Sequence, residues 1–336
     1  ILRMVEMNFI RSQWIKYNGN LRGPTDFLPQ DDNENEYFNL GGVSIEENAS
    51  KQPVNYISPA GIVREVGVNT TANAIQLNEQ ALRMSFCNLK EADAKAAFKN
   101  LQFDFRQFNK IRVFFHAESN PLASSQMNDD DVTGFIRLGA DFKENYYEYE
   151  IPLKVTPNGN YDGNLDADKR IVWPDSNEMI IPLQELVDVK LKRNASRFPI
   201  NTPFIDHSKA RNITIVGNPD IGRVKMAMVG VRNRAVSDKA NFKPDDDGMP
   251  KCGEVWVNEL RLEGLNEEGG TAALANMSIK LADLGTANLT AQMHTIGFGQ
   301  VHQRVNERMQ DDYYQIGINS NLQFGKFFPK KWGVQM

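Results

Sequence analysis

Two cysteines, Cys87 and Cys252, and four histidines are the residues of this chain best suited to hold a metal or attack a substrate. A structural zinc site needs about four clustered ligands, and no histidine lies within ligand spacing of either cysteine. Nucleophilic catalysis needs a serine or cysteine beside a base. His116, His207, His294 and His302 have no such partner in a recognisable context, so they read as structural or solvated. The segments GNPDIGR (217–223) and GFG (297–299) supply glycines without the spacing of a phosphate loop. The acidic runs QDDNENE (30–36), MNDDDV (127–132) and KPDDDGMP (243–250) offer oxygen atoms suited to calcium. None has the spaced ligands of a calcium loop, and they read as solvated loops. The expectation is therefore no catalytic residue, no metal site, no cofactor and no enzyme. Two arrangements of the cysteines stay open: a disulfide if the compartment is oxidising, or two separate buried thiols.

The elements that carry these residues are β nearly throughout. The runs SQWIKYNG (12–19), AIQLNEQALRMSFCNL (74–89), KIRVFFHAE (110–118) and YYEYEIPLKV (146–155) alternate or are β-branched and aromatic. RNITIVG (211–217), RVKMAMVGVRN (223–233) and GEVWVNELRL (253–262) continue the series. In KIRVFFHAE both alternating sets are apolar, which predicts a strand buried on both faces. Only PLQELVDVKLKRN (182–194) reads as a full helix, with Leu183, Leu186, Val187 and Leu191 on one face. EADAKAAFKN (91–100) is expected to add a helical turn or two. Strands separated by Gly, Pro, Asn and Asp loops point to a sandwich or barrel. No low-complexity linker interrupts residues 1–265, which are expected to form one jelly-roll-like β-sandwich. In its closing strand either Trp256, Leu260 and Leu262 or Val255 and Val257 should face the core. The strand order is similar to that of galactose-binding-like jelly rolls, which often bind sugars over exposed aromatics. Trp14, Trp173 and Trp256 could form such a platform or equally belong to the core.

Residues 266–336 have another texture. Ala273, Ala275, Met277, Ile279 and Leu281 oppose Asn276, Ser278 and Lys280. Ala287, Leu289, Ala291 and Met293 oppose Asn288, Thr290, Gln292 and His294. After a long polar loop, Tyr314, Ile316, Ile318, Leu322 and Phe324 oppose Gln315, Asn319, Asn321 and Gln323. Strands over 271–282, 287–296 and 312–325 have the length that a tilted strand needs to cross a bilayer. Tyr313 and Tyr314 at one end, with Phe324, Phe327 and Phe328 at the other, are placed as two aromatic girdles. The periodicity also fits a half-exposed soluble sheet. On the membrane reading, Ala287, Leu289, Ala291, Met293, Ile316, Ile318 and Leu322 face lipid, and Asn288, Thr290, Gln292, Asn319 and Asn321 face a water-filled lumen. No run of about 18 apolar residues predicts a membrane helix. Lys+Arg 38 against Asp+Glu 43 gives a formal net charge of −5, with no basic stripe to suggest nucleic acid.

VSIEENASKQPVNYISPAGIVRE (43–65), LNEQALRMSFCNL (77–89), FRQFNKIRVFFHAE (105–118) and YYEYEIPLKVT (146–156) closely resemble the SprA/Sov family of giant outer-membrane proteins of Bacteroidetes. So do IVGNPDIGRVKMAMVGVRN (215–233) and KCGEVWVNELRLEGLNEEGG (251–270), while KLADLGTANLT (280–290) and NLQFGKFFPKKWGVQM (321–336) are similar to its barrel strands. The resemblance spans essentially the whole chain, which is expected to be an internal portion of a longer protein. It implies the protein-conducting channel of the type 9 secretion system, an exceptionally wide single-chain transmembrane barrel in the bacterial outer membrane that also supports gliding motility. The implied partners are secreted cargo proteins with C-terminal signals, an outer-membrane shuttle barrel, a plug protein and the lipid bilayer. The family brings no catalytic residues. The alternative is a soluble carbohydrate- or protein-binding β-sandwich of a cell-surface protein. An envelope location permits a Cys87–Cys252 disulfide, which requires Cα atoms within about 7 Å.

Overall fold

The computed structural model describes residues 14–19, 21, 36–62, 66–68, 74–76, 78–209, 211–233, 235, 247–265, 268–303, 307–327 and 330–333. The chain divides into two compact units, Ile1–Gly264 and Leu265–Met336.

The first unit is mainly β. Its strands are β1 (Ile15–Lys16), β2 (Tyr37–Ser44), β3 (Val66–Val68), β4 (Ala74–Gln76), β5 (Gln80–Leu89), β6 (Ala94–Phe103) and β7 (Phe108–Ser119). They are followed by β8 (Val132–Gly139), β9 (Tyr146–Pro152), β10 (Glu178–Pro182), β11 (Phe204–Lys209), β12 (Arg211–Val216), β13 (Val224–Asn233) and β14 (Lys251–Leu265). A seven-stranded sheet has the order β1-β6-β13-β8-β9-β12-β11, and a five-stranded sheet has the order β10-β7-β14-β5-β2. Strands β3 and β4 form a separate hairpin. The two large sheets share one core: Met84, Val113, Phe115 and Val255 from the five-stranded sheet meet Ile136, Tyr149, Ile213 and Val229 from the other. Side chains of alternate residues on each strand enter this layer.

The alternation has a second use. On the far side of the five-stranded sheet, Phe114 and Trp256 pack with Tyr56, Val172 and Trp173 in a separate apolar cluster. Val255 and Val257 enter the main core while Trp256, between them, enters this second one. The expected choice between the two sets on β14 was therefore too narrow, because both faces of the strand are buried at that point. Leu260 does not reach either core and is 40% exposed, whereas Leu262 packs against the main core. Trp173 and Trp256 are buried and Trp14 packs on the main core, so none of them forms an exposed aromatic platform.

Among its described residues are three α-helices: α1 (Ile45–Asn48), α2 (Asp166–Val172) and α3 (Leu183–Ala195). Pro182 precedes α3, where its missing N–H costs no helical bond. The buried line of α3 is Leu183, Leu186, Val189 and Arg193. Leu191, expected on that line, is 59% exposed. The alanine-rich stretch 91–100 is not helical. From Ala94 onward it is β6, paired along β13 from Arg232↔Ala94 to Met226↔Asn100 and, past an irregularity, at Val224↔Phe103. Its Ala94 and Ala96 are buried beneath Phe135, Phe142 and Met228, so ladder pairing and burial override alanine's modest helix preference.

The acidic runs are less solvated than expected. Asp131 and Asp247 both pair with Lys251, at 3.0 and 2.8 Å, and the Lys251 side chain has no exposed surface. Glu36 pairs with Lys95 at 2.9 Å and Lys90 at 3.6 Å. Residues 30–35 and 243–246 lie outside the described residues. Among the described residues no group of three or more His, Cys, Asp and Glu could hold a metal.

Candidate functional site

The second unit contains β15 (Ala272–Lys280), β16 (Gly285–His294) and β17 (Tyr313–Leu322) in a three-stranded antiparallel sheet. A short turn from Leu281 to Leu284 joins β15 to β16, with Ala282 in the left-handed region at φ 46°. The long connection from Thr295 to Asp312 folds back on itself. Gly297 N–H donates to the Met309 carbonyl, and Met309 N–H to that of Phe298. Gly297 has φ 84°, and a side chain there would collide with the Glu268 carbonyl oxygen. The sheet is open, with β15 and β17 as its edges.

Register sorts the side chains. Ala275, Ala291 and Ile316 lie across from one another, as do Met277, Leu289 and Ile318. Opposed residues of antiparallel strands share a face. Ala287, Leu289, Ala291 and Met293 therefore lie on one face with Ile316, Ile318 and Leu322. Asn288, Thr290 and Gln292 lie on the other with Asn319 and Asn321. Ile316 and Ile318 are 74% and 72% exposed within the chain.

The polar face is knit across strands. Ser278 Oγ donates to Asn288 Oδ1 at 2.7 Å, and Gln292 Nε2 to Gln315 Oε1 at 2.5 Å. Tyr313 OH donates to the same Gln315 oxygen at 2.7 Å, and the Tyr313 ring stacks on His294 at 5.2 Å. The amides satisfy one another sideways and still present donors and acceptors outward. Such a face stays wetted. The apolar face has no such partners, and nothing among the described residues of this unit covers it. Tyr313 and Tyr314 stand at the start of β17, opposite His294 and Met293. Phe324 lies beyond its other end in a 3-10 turn, Phe324–Phe327, rather than on the strand. The side chain of Phe327 and all of Phe328 lie outside the described residues.

In the first unit, Cys87 and Cys252 are joined by a disulfide across β5 and β14. No free cysteine remains among the described residues. His116 is buried, with Nδ1 2.8 Å from the Val172 carbonyl and its ring stacked 3.8 Å from that of Trp256. It is part of a packed aromatic cluster. His207 Nδ1 lies 2.7 Å from Asn212 Oδ1. A second buried ionic cluster lies on the outer side of the seven-stranded sheet. Glu148 accepts from Arg137, and its other oxygen pairs with Arg232, which also reaches Glu150. Burial alone would raise the Glu148 carboxyl, but Arg232 and Arg137 more than offset that and hold it down at about 2. Among the described residues no group combines a nucleophile, a base and an orienting partner. No helix among the described residues is long and apolar enough to cross a membrane, which says nothing of strands.

All of residues 1–336 match the SprA_N family, described as motility related/secretion protein. The chain belongs to that family. SprA_N is a motility and secretion family rather than an enzyme family, and it suggests a cell-envelope or membrane-associated protein. Comparison with curated proteins found no match. Among solved structures the chain is similar to the family 11 carbohydrate-binding module of the cellulosomal cellulase Lic26A-Cel5E of Clostridium thermocellum. The identity is 9% and the TM-score 0.29, over 68% of this chain and 88% of that one. At that level the likeness carries no argument about fold or ligand.

Proposed function

We propose that this chain is part of the protein-conducting channel of the type 9 secretion system, with β15–β17 as strands of a large outer-membrane barrel and residues 1–265 as a sandwich attached to it. The observation that carries this reading is the sheet with one mainly apolar face and one mainly amide, hydrogen-bonded face, both uncovered among the described residues. A strand of 10 residues such as β16 is about 33 Å long and, tilted by about 40°, spans about 25 Å along the membrane normal. That matches the apolar band of outer-membrane barrels. The open edges of β15 and β17 suit continuation into neighbouring strands, since only closure satisfies edge groups in lipid. Lipid requires apolarity without volume, which small residues such as Ala275 and Ala291 supply. A lumen made mostly of amides and hydroxyls suits varied folded cargo, because it offers hydrogen bonds with little fixed charge. Cargo with C-terminal signals, a shuttle barrel and a plug are the partners of this reading.

The test is a pair of neighbouring substitutions in the full-length protein. Leu289→Arg is expected to lower outer-membrane insertion, at a cost of about 2–4 kcal/mol near the midplane, and Thr290→Arg far less. Insertion yields read in the heat-modifiable membrane fraction check this. Equal tolerance at both positions would place these strands in a soluble sheet and end the membrane reading.

A further inference from the structure

The outward face of the five-stranded sheet carries a cleft of about 370 Å³ whose chemistry the channel reading leaves unused. Tyr37, Lys51, Arg83, Ser85, Glu118 and Glu254 line it. Four of them, Lys51, Ser85, Glu118 and Glu254, are already engaged with one another. Lys51 lies between two carboxylates, bonded to Glu118 and 3.2 Å from Glu254. Glu254 also accepts from Ser85 Oγ at 3.0 Å and from Trp256 Nε1 at 3.3 Å. The second Glu118 oxygen lies 3.4 Å from His116 Nε2. Burial would raise the Glu254 carboxyl, but Lys51 with Trp256 and Ser85 holds it below the ordinary carboxylate range. The cluster of one lysine and two carboxylates thus keeps one net negative charge.

Arg83 stands apart from it. Its guanidinium makes no hydrogen bond or ion pair among the described residues, and its Nε is buried without a partner. A buried donor left unmet is costly, more so when charged, so such a group marks a place where something else binds. The neighbouring strand makes room for it. Gly41 lies opposite Arg83 on β2, and a Cβ at Gly41 would sit 3.1 Å from Nη2. On the same face Tyr37 opposes Cys87 and is 54% exposed.

We infer that this cleft binds a carboxylated saccharide of hexuronate type, with its carboxylate on Arg83. A planar carboxylate matches the guanidinium fork with two parallel hydrogen bonds. A single negative charge is favoured over a doubly charged phosphate, because the adjacent cluster is itself net negative. The remaining lone pairs of Glu118 and Glu254 accept from donors only, which the sugar hydroxyls are. The exposed ring of Tyr37 gives the apolar face of the sugar a surface to rest on. A simple carboxylate satisfies the arginine and leaves the acceptors unread. This inference is independent of the channel reading.

The experiment titrates the full 336-residue chain by NMR with methyl glucuronide, methyl glucoside, acetate and inorganic phosphate. Methyl glucuronide is expected to bind at least tenfold more tightly than each of the others. R83Q is expected to lose at least tenfold of that affinity, R83K to recover only part, and Y37A to lose severalfold. K225Q, an exposed change on β13, leaves it unaltered, and thermal melts of every variant confirm folding. Equal binding of glucuronide and glucoside, or of glucuronide and acetate, overturns the inference. So does unchanged glucuronide binding by a folded R83Q.

Discussion

The two units of this protein use the same strand alternation for opposite ends. In the first, both alternating sets of β7 and β14 are buried, so Trp256 and Val255 enter different cores from the same strand. In the second, both alternating sets of β15–β17 are bare, so Met277 and Ser278 both meet the surroundings. Packed interiors need volume and shape, and the first unit supplies tryptophan, phenylalanine and methionine. The second supplies alanine, leucine and isoleucine on one side and amides on the other. The difference teaches that apolar periodicity specifies a face, whereas residue size specifies what that face will meet.

The largest expected contrast is in large-to-small changes. Trp256→Ala removes the hub of the aromatic cluster and is expected to cost about 3–5 kcal/mol, read as a lower urea midpoint for the first unit. No loss beyond about 1 kcal/mol would show that this cluster is not a packed core. Next comes the buried ionic cluster, for which the second unit has no counterpart among the described residues. The folded Glu148 carboxyl is held at about 2 against an ordinary 4.5. Its contribution is therefore present above about 4.5 and is lost as pH falls toward 2, on the order of 3 kcal/mol at most. Glu148→Gln should lower stability at pH 7 and flatten the acid limb of the melt between those values. A variant with an unchanged acid limb would show that other carboxylates govern it. The smallest effect sets one residue type against itself. Ala96→Leu, in the buried strand β6, is expected to cost about 1–3 kcal/mol, and Ala275→Leu, on the bare face of β15, less than about 0.5 kcal/mol. Chemical melts of the two variants give the comparison, and equal costs would mean that the second face is also packed.

Much of this was legible in the sequence where side chains alone decide. The runs around Val113, Tyr149, Ile213 and Val229 are strands, and the division of amides from aliphatics over 272–322 is plain from alternation. What was illegible depended on partners distant in the chain. Residues 91–100 look helical by composition, yet from Ala94 onward they are strand because β13 is available beside them. The Trp256 side of β14 looked like a choice between core and solvent, since the residues that cover it, Tyr56 and Trp173, lie far away in sequence. Arg83 lies in the alternating run 74–89, and nothing in the sequence sets it apart from an ordinary outward arginine. Only the register that sets it against Gly41, and the engagement of Glu254 with Lys51, Ser85 and Trp256, leaves it without a partner among the described residues. A glycine pair in an aromatic strand, Gly41-Gly42, was the one signal that could have drawn attention there.

The disulfide also bears on mechanical load. β14 is hydrogen-bonded on both edges, to β7 and β5, and the second compact unit begins at Leu265, its last residue. Tension applied through the second unit is therefore delivered to β14. If the strand gives way, the segment from Gly253 to Gly264 can be drawn out, but extraction halts at Cys252, where the covalent bridge to Cys87 passes the force to β5. The bond thus acts as a stop that limits how far the sandwich can be unravelled by whatever pulls on the sheet beyond it.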